Sequence, residues 1–288
     1  MSVFLLESLL LIFVKKFCQF LLNFKHLFIN CSIINVMKPF EILLLYNLIA
    51  FILTAGLMIL CKKVIRKDST KDFVLKFVSI AVVVIHYSSL YVDFFSNNGN
   101  AMIENNMILP VYPCNIIMWL LLIVSLMKNK ESKIYKALSE FTFIGGTLCG
   151  VIGVLFNINF LNNPDLGNYD IFKGLISHSV MIFGTIYLFV FDYVKLEVVR
   201  TMKSIIFGLI IFVICGLTIN ILFAIFNIPS VNAMFMLEPP LSDLPFFNFF
   251  TIGLLGLILS FIGLNIYEHF ALPKEQRWIY KYIIERRK

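Results

Sequence analysis

The sequence predicts an all-α fold, a polytopic membrane helix bundle with seven transmembrane helices, its N-terminus outside and its C-terminus cytoplasmic. Of the 288 residues, 60% are hydrophobic and only 14% are charged, whereas a soluble domain carries about 25% charged residues. The mean hydropathy is +0.90. Seven apolar segments reach the ~20 residues that a transmembrane helix requires. We therefore expect an integral membrane protein whose partners are membrane lipids and not nucleic acid.

The loops between the apolar segments predict the orientation. The segments are 40–61, 73–95, 108–127, 135–157, 171–194, 203–226 and 246–268. Lysine and arginine occur in loops 62–72, 128–134 and 195–202 and in the tail after residue 269, whereas loops 96–107, 158–170 and 227–245 contain none. Because positively charged loops stay in the cytoplasm, the first span is expected to enter from outside and the tail to end inside.

The N-terminal residues do not follow this pattern. Their apolar runs are broken by lysines before any reaches 18 residues, and they lack the basic start and cleavage site of a signal peptide. Met37 is a natural start, so we interpret the preceding stretch as an upstream translation artefact or a poorly ordered interfacial segment. The predicted parts are a non-core extension at 1–36, a seven-helix membrane domain at 37–270 and a basic cytoplasmic tail at 271–288.

Two spans carry small residues at the spacing of helix–helix contacts. These residues are Gly146, Gly150 and Gly153 in the fourth span, and Gly253, Gly256, Ser260 and Gly263 in the seventh. Small residues let membrane helices approach closely, and no strand precedes them as a phosphate-binding loop would require. We predict that both spans pack tightly against neighbours.

Polar side chains from four spans converge on one depth. His86, Cys114, His178 and Asn220 lie about six to nine residues from the outer ends of their spans, which corresponds to roughly 9–14 Å below the outer surface. Ionisable residues inside a span indicate function by default. Nothing comparable occurs in the inner half, where Glu140 and Lys76 lie within a few residues of the cytoplasm and can snorkel.

Each of these residues also has a structural interpretation. An intramembrane cysteine is usually a small hydrophobic residue, and the six cysteines form no CxxC pair or disulfide framework. His86 is either a helix–helix hydrogen-bonding residue or one that orients a catalytic partner. Asn220 either hydrogen-bonds a neighbouring helix or is part of a site. His178, which has serines on both sides, favours function.

Pro113 sharpens the interpretation of Cys114. Proline is favoured at the first position of a helix, so the third helix is predicted to begin there, after the extended stretch "ILPVY". Cys114 then lies in the first turn, where free N–H groups and the positive end of the helix dipole face the sulfur. The helix from 113 to 127 would be only ~22 Å long against a hydrocarbon core of ~30 Å.

Several of these stretches resemble a known family. "LPVYPCNIIMW", followed by "NNPDLGNYDIF", "LISHSVMIFGTIYL" and "NAMFMLEPPLSDL", is similar to the YwaF-like integral membrane family of bacteria, over about residues 40–270. The matching motif residues are Leu109, Pro110, Cys114, Ser177 and His178. Tyr112 stands where the family usually has histidine, and Pro113 where it usually has leucine.

The resemblance implies lipid chemistry in a bacterial plasma membrane. The family looks related to an animal transmembrane acyltransferase with a cysteine nucleophile, which implies Cys114 as nucleophile and His178 as base. We therefore expect a lipid acyltransferase, transacylase or hydrolase that works near the outer leaflet without a cofactor. Residues expected to bind the substrate or support the reaction are His86, Tyr112, Asn115 and Asn220.

Other functions stay open at this point. A small-solute transporter or a receptor-like binding protein would also place polar groups in one layer, although no internal repeat or pair of broken helices is evident. His86, Cys114 and His178 would suit zinc if they converged. A purely structural subunit of a larger assembly is a further alternative.

Overall fold

The computed structural model describes residues 38–96, 109–165, 168–226, 232–239 and 244–284. The predictions for residues 1–36 therefore lie outside the described residues. The helices are α1 (Pro39–Val64), α2 (Asp68–Ser96), α3 (Pro113–Leu126), α4 (Lys133–Leu155), α5 (Ile158–Asn162), α6 (Tyr169–Val190), α7 (Val198–Ile225) and α8 (Phe249–Ala271). A 3-10 turn at Ala233–Phe235 lies between α7 and α8. No strand occurs in these ranges.

The chain is an all-helical membrane protein, but the prediction of seven full spans is wrong. Six helices are long and apolar enough to cross a membrane: α1, α2, α4 with α5, α6, α7 and α8. The third predicted span contains only the 14-residue helix α3, which is about 21 Å long. Its sequence is apolar over 20 residues, yet prolines at 110 and 113 remove backbone donors and prevent the helix from starting earlier.

The predicted start of α3 is confirmed. The helix begins at Pro113, and Tyr112 precedes it in an extended conformation with φ −109° and ψ 152°, as expected for the residue before a proline. The extended stretch before the helix is held by protein, since Val111 is buried and its carbonyl accepts the Met234 N–H at 2.8 Å. Non-helical backbone at membrane depth requires such partners.

Helices α4 and α6 form the centre of the bundle. A Cβ built at Gly146, Gly150 or Gly153 of α4 would lie 2.3–2.4 Å from Thr185, Ile182 or His178 of α6. These three contacts follow each other along antiparallel helices, and we call them the α4–α6 seam. Because the glycines lack a Cβ, the side chains of α6 reach the backbone of α4. The packing predicted for the fourth span is present.

Two buried carboxylates fix the opposite end of the bundle, near the lysine-rich loops. Glu140 is 1% exposed and accepts hydrogen bonds from Arg200 Nε at 2.6 Å and Ser204 Oγ at 2.8 Å. The prediction that Glu140 snorkels is therefore wrong, because a charged partner on α7 satisfies it inside the protein. Glu268 of α8 similarly accepts the backbone N–H groups of Val198 and Trp278. We call this end of the bundle the lysine end. The opposite end of the bundle, where α6 begins, is called the cavity end.

Candidate functional site

A cavity of about 720 Å³ lies within the bundle, a size typical of sites for small molecules. Its walls come from α3, α4, α6, α7 and α8, together with His86 of α2. Five of the six predicted site residues line it, namely His86, Tyr112, Cys114, Asn115 and His178. The structure thus brings polar side chains from three helices and the stretch before α3 to one space.

The part of the cavity near the cavity end of the bundle, where α6 begins, is lined by polar side chains. The part nearer the lysine end is lined by apolar side chains. The polar part is formed by the first turns of α3, the first three turns of α6 and asparagines after α4. The apolar part is formed by Phe141 and Leu148 of α4, Leu209 and Phe212 of α7, and Ile252 of α8. A ligand that fits both parts is amphipathic, with a polar head and a hydrocarbon chain.

His178 is held in one orientation by the backbone of its own helix. Its Nδ1 lies 2.7 Å from the carbonyl oxygen of Gly174, one turn earlier. A carbonyl oxygen only accepts hydrogen bonds, so Nδ1 carries the proton and donates it. In the neutral ring, Nε2 is then unprotonated and is an acceptor. Nε2 is buried and has no hydrogen-bond partner among the described residues.

Gly153 on α4 makes room for this imidazole. A Cβ at position 153 would lie 2.3 Å from both Cδ2 and Nε2 of His178, which is closer than non-bonded atoms approach. The ring therefore rests directly on the α4 backbone, and any larger residue at 153 would displace it. The last glycine of the α4–α6 seam thus determines where Nε2 lies.

Cys114 occupies the first turn of α3, beside Asn115. Its Sγ lies 3.4 Å from Oδ1 of Asn115, whose side chain is buried. The thiol and the His178 imidazole line one cavity, but Nε2 makes no hydrogen bond with Sγ. Of the backbone groups next to the sulfur, Pro113 has no N–H and the Asn115 N–H donates to the Tyr112 carbonyl at 3.0 Å.

The depth of each helix explains this separation. Ile117 of α3 packs against Gly145 and Gly146 of α4, while His178 packs against Gly153. Because Cys114 is one turn before Ile117, it lies about one helical turn, or roughly 6 Å, from the level of His178 along α4. Both side chains line the cavity.

Asn220 holds a turn and does not line the cavity. Its amide accepts the Ala233 N–H at 2.8 Å and donates to the Ala233 carbonyl at 3.3 Å. The turn contains Met234 and Phe235 with φ of 57° and 55°, a left-handed conformation that costs energy for residues other than glycine. Phe235 stacks on Tyr112 with ring centroids 4.9 Å apart, so Asn220 supports the wall beside Cys114.

Sequence reasoning missed Lys173, which also lines the cavity. Its side chain is only 8% exposed, and Nζ donates to Ser89 Oγ at 2.8 Å and to Asp170 Oδ1 at 3.1 Å. The available signal was a charged residue inside a predicted span.

The described residues contain no group of three or more His, Cys, Asp or Glu side chains that could hold a metal ion. His86, Cys114 and His178 line one cavity but are not close enough together to form such a group. The zinc hypothesis therefore has no support in the described part of the chain.

The sequence comparisons agree with a membrane protein of this architecture. The model of the TMEM164 family matches residues 26–266. The matched stretch contains every residue described above as lining the cavity, and it begins within the predicted N-terminal extension. No curated protein and no solved structure matches the chain.

Proposed function

Because the chain belongs to the TMEM164 family, a family of multi-pass membrane proteins, we propose that it is a lipid acyltransferase or lipid hydrolase. In this proposal Cys114 is the nucleophile and His178 the general base. The observation that carries it is the His178 imidazole, which lines the cavity and whose buried Nε2 has no hydrogen-bond partner among the described residues. The same cavity is lined by Cys114, the only thiol in the first turn of a described helix.

The chemistry begins with one proton transfer. The Cys114 thiol gives its proton to His178 Nε2, either directly or through one water molecule, because hydrogen bonds of an empty site tighten when substrate binds. The thiolate sulfur attacks the carbonyl carbon of an acyl ester. The C–O bond of the ester then breaks, and the leaving alcohol takes the proton from His178. The acyl group remains on Cys114 as a thioester.

The second half repeats these steps with an acceptor. The hydroxyl of a lysolipid, or water, gives its proton to His178 and attacks the thioester carbonyl. The C–S bond breaks, and Cys114 recovers its proton from His178. The negative charge on the carbonyl oxygen in each step is placed near the Asn115 side-chain amide and the Cys114 N–H, which would stabilise it.

The neighbouring residues have supporting roles in this proposal. His86 completes the polar part of the cavity, and Tyr112 forms its wall under Phe235. Asn220 acts from outside the cavity by holding that wall in place. The alternation of basic loops supports a site that opens to the outer leaflet, and the resemblance to the YwaF-like family supports a bacterial plasma membrane.

The test compares two cysteines of the same cavity, Cys114 and Cys149. The full chain is reconstituted in phosphatidylcholine vesicles that contain a lysolipid, and transfer of a labelled acyl chain is measured. Cys114→Ala removes the nucleophile, so the expected rate falls about a thousandfold or more and no acyl-thioester can be isolated. Cys149→Ala removes a wall sulfur only, and the rate stays within about twofold.

Full transfer activity in Cys114→Ala would rule out this mechanism. If the variant also took up a solute in the same vesicles, a transporter would be the better interpretation. His178→Asn serves as a second check, since it keeps the hydrogen bond to Gly174 while removing the base.

A further inference from the structure

We propose that Lys173 binds the phosphate group of a phospholipid whose acyl chain occupies the apolar part of the cavity. This assignment rests on the proposed function for the reaction that follows, but binding alone can test it. Lys173 is the sole lysine or arginine among the described residues that line the cavity. An anionic group entering this space therefore has one cationic partner there.

The surroundings of Lys173 leave its charge incompletely compensated. The ammonium group has three N–H donors, and the hydrogen bonds to Ser89 and Asp170 use two of them. Lys173 is 8% exposed, whereas Asp170 is 45% exposed. The carboxylate is therefore largely hydrated and the ammonium is not, and a buried charge of this kind favours a further anionic partner.

The order of groups along α6 matches the order of groups in a phospholipid. Lys173 lies five residues before His178, which corresponds to about 7.5 Å along the helix. In a phospholipid, only the glycerol backbone separates the phosphate from the acyl esters. With the phosphate on Lys173, an ester carbonyl reaches the level of His178, about one helical turn from the level of Cys114. The acyl chain then continues toward Leu148, Leu209 and Ile252.

Asp170 allows two roles of Lys173 to be distinguished, because removing its charge has opposite effects on phospholipid binding under each. Its carboxylate shares Nζ of Lys173 and would repel an incoming phosphate. Removing this negative charge with Asp170→Asn keeps the side-chain shape and frees a donor. If Lys173 only stabilised the start of α6, Asp170→Asn would weaken the site. If Lys173 binds phosphate, the same substitution strengthens phospholipid binding.

The experiment measures binding without turnover. The full chain carrying Cys114→Ala is placed in dodecyl maltoside micelles, which contain no phosphate, with a phosphatidylglycerol whose acyl chain bears a photoreactive group, and crosslinking is quantified. A diacylglycerol with the same photoreactive chain lacks only the phosphate headgroup and serves as the matched probe. Variants are Lys173→Met, Lys173→Arg and Asp170→Asn, and sodium phosphate at millimolar concentration is added in a separate arm.

Lys173→Met is expected to weaken phosphatidylglycerol binding about tenfold to a hundredfold and to leave diacylglycerol binding unchanged. Lys173→Arg should keep phospholipid binding, and Asp170→Asn should strengthen it. Equal loss of both probes in Lys173→Met, without strengthening in Asp170→Asn, would overturn the assignment, as would no loss of either. Displacement of the lipid by sodium phosphate would identify free phosphate as the ligand instead.

The two proposals fail in different ways. If the wild-type chain transfers no acyl group but Lys173→Met still loses phosphatidylglycerol selectively, the proposed reaction is wrong and the phosphate site stands. If acyl transfer depends on Cys114 but Lys173→Met binds both probes as before, the phosphate site is wrong and the reaction stands.

Discussion

Helices α4 and α8 carry similar small residues, but they use them differently. In α4, a Cβ built at any glycine of the α4–α6 seam would lie within 2.4 Å of a side chain of α6. Among the described residues, a Cβ at Gly253 of α8 would meet its nearest atom at 3.8 Å and one at Gly256 at 3.6 Å, and a Cβ at Gly263 would meet none within 4 Å. The same sequence pattern gives a closed contact in one helix and open space in the other.

The difference comes from what faces each helix. The three α4 glycines face Thr185, Ile182 and His178 of α6. In the 18-residue apolar stretch of α6, 56% of the residues are buried. In the 18-residue apolar stretch of α8, only 17% of the residues are buried. The main neighbour of α8 is α7. Gly253 and Gly256 instead line the apolar part of the cavity. Small residues permit close packing, and the partner decides whether it occurs.

The largest effect is expected from closing the seam at His178. Gly153→Ala would place a Cβ 2.3 Å from Nε2 and push the imidazole out of position. Because a shift of about 1 Å in a catalytic group can reduce the rate a hundredfold, we expect acyl transfer to fall by about that factor. The vesicle assay measures it, with thermal unfolding in detergent recorded in parallel.

Gly150→Ala is the matched control, since its Cβ would lie 2.4 Å from Ile182 Cγ1 and would meet His178 only at its backbone oxygen, at 3.3 Å, and not at the imidazole. Both variants should lose about 1–3 kcal/mol of stability. Equal activity in the two variants would show that the position of His178 is not important for the reaction.

A smaller effect on the reaction is expected from Gly256 of α8, which lines the apolar part of the cavity. Gly256→Leu would fill part of the apolar cavity next to Leu148. Since one methylene group in a hydrophobic pocket changes specificity about tenfold or more, we expect a shift of about tenfold toward shorter acyl chains. Competition between long-chain and short-chain donors measures this shift. Gly263→Leu, on the same helix but outside the cavity lining, should not change chain preference, and a shift in that variant would contradict the assignment.

The smallest effect is expected at Gly263 of α8. Gly263→Ala adds a methyl group that meets no atom of the described residues within 4 Å, and alanine favours a helix over glycine by about 1 kcal/mol or less. The variant should be slightly more stable in thermal unfolding, whereas Gly146→Ala, whose Cβ meets Thr185 at 2.3 Å, should be less stable. Destabilisation by Gly263→Ala would indicate a packing partner on this side of α8.

Features set by local chemistry could be predicted from the sequence. Pro113 fixed the start of α3 because proline restricts both itself and the residue before it. The shared depth of His86, Cys114 and His178 followed from counting residues along apolar helices, and these residues do line one cavity. What needed the structure was contact between distant segments: Arg200 reaching Glu140, Asn220 bonding the turn at Ala233, and Ser89 receiving Lys173. None of these pairs has a fixed spacing that sequence could reveal.

The length of α3 has a consequence for the surrounding bilayer. A helix of about 21 Å in a hydrocarbon core of about 30 Å produces hydrophobic mismatch, which a membrane relieves by thinning locally. Lipids beside α3 would then hold their ester groups deeper than elsewhere, closer to the level of Cys114. The energy of such thinning grows with bilayer thickness. Membrane thickness would therefore influence how readily lipids approach this helix, independently of the chemistry inside the cavity.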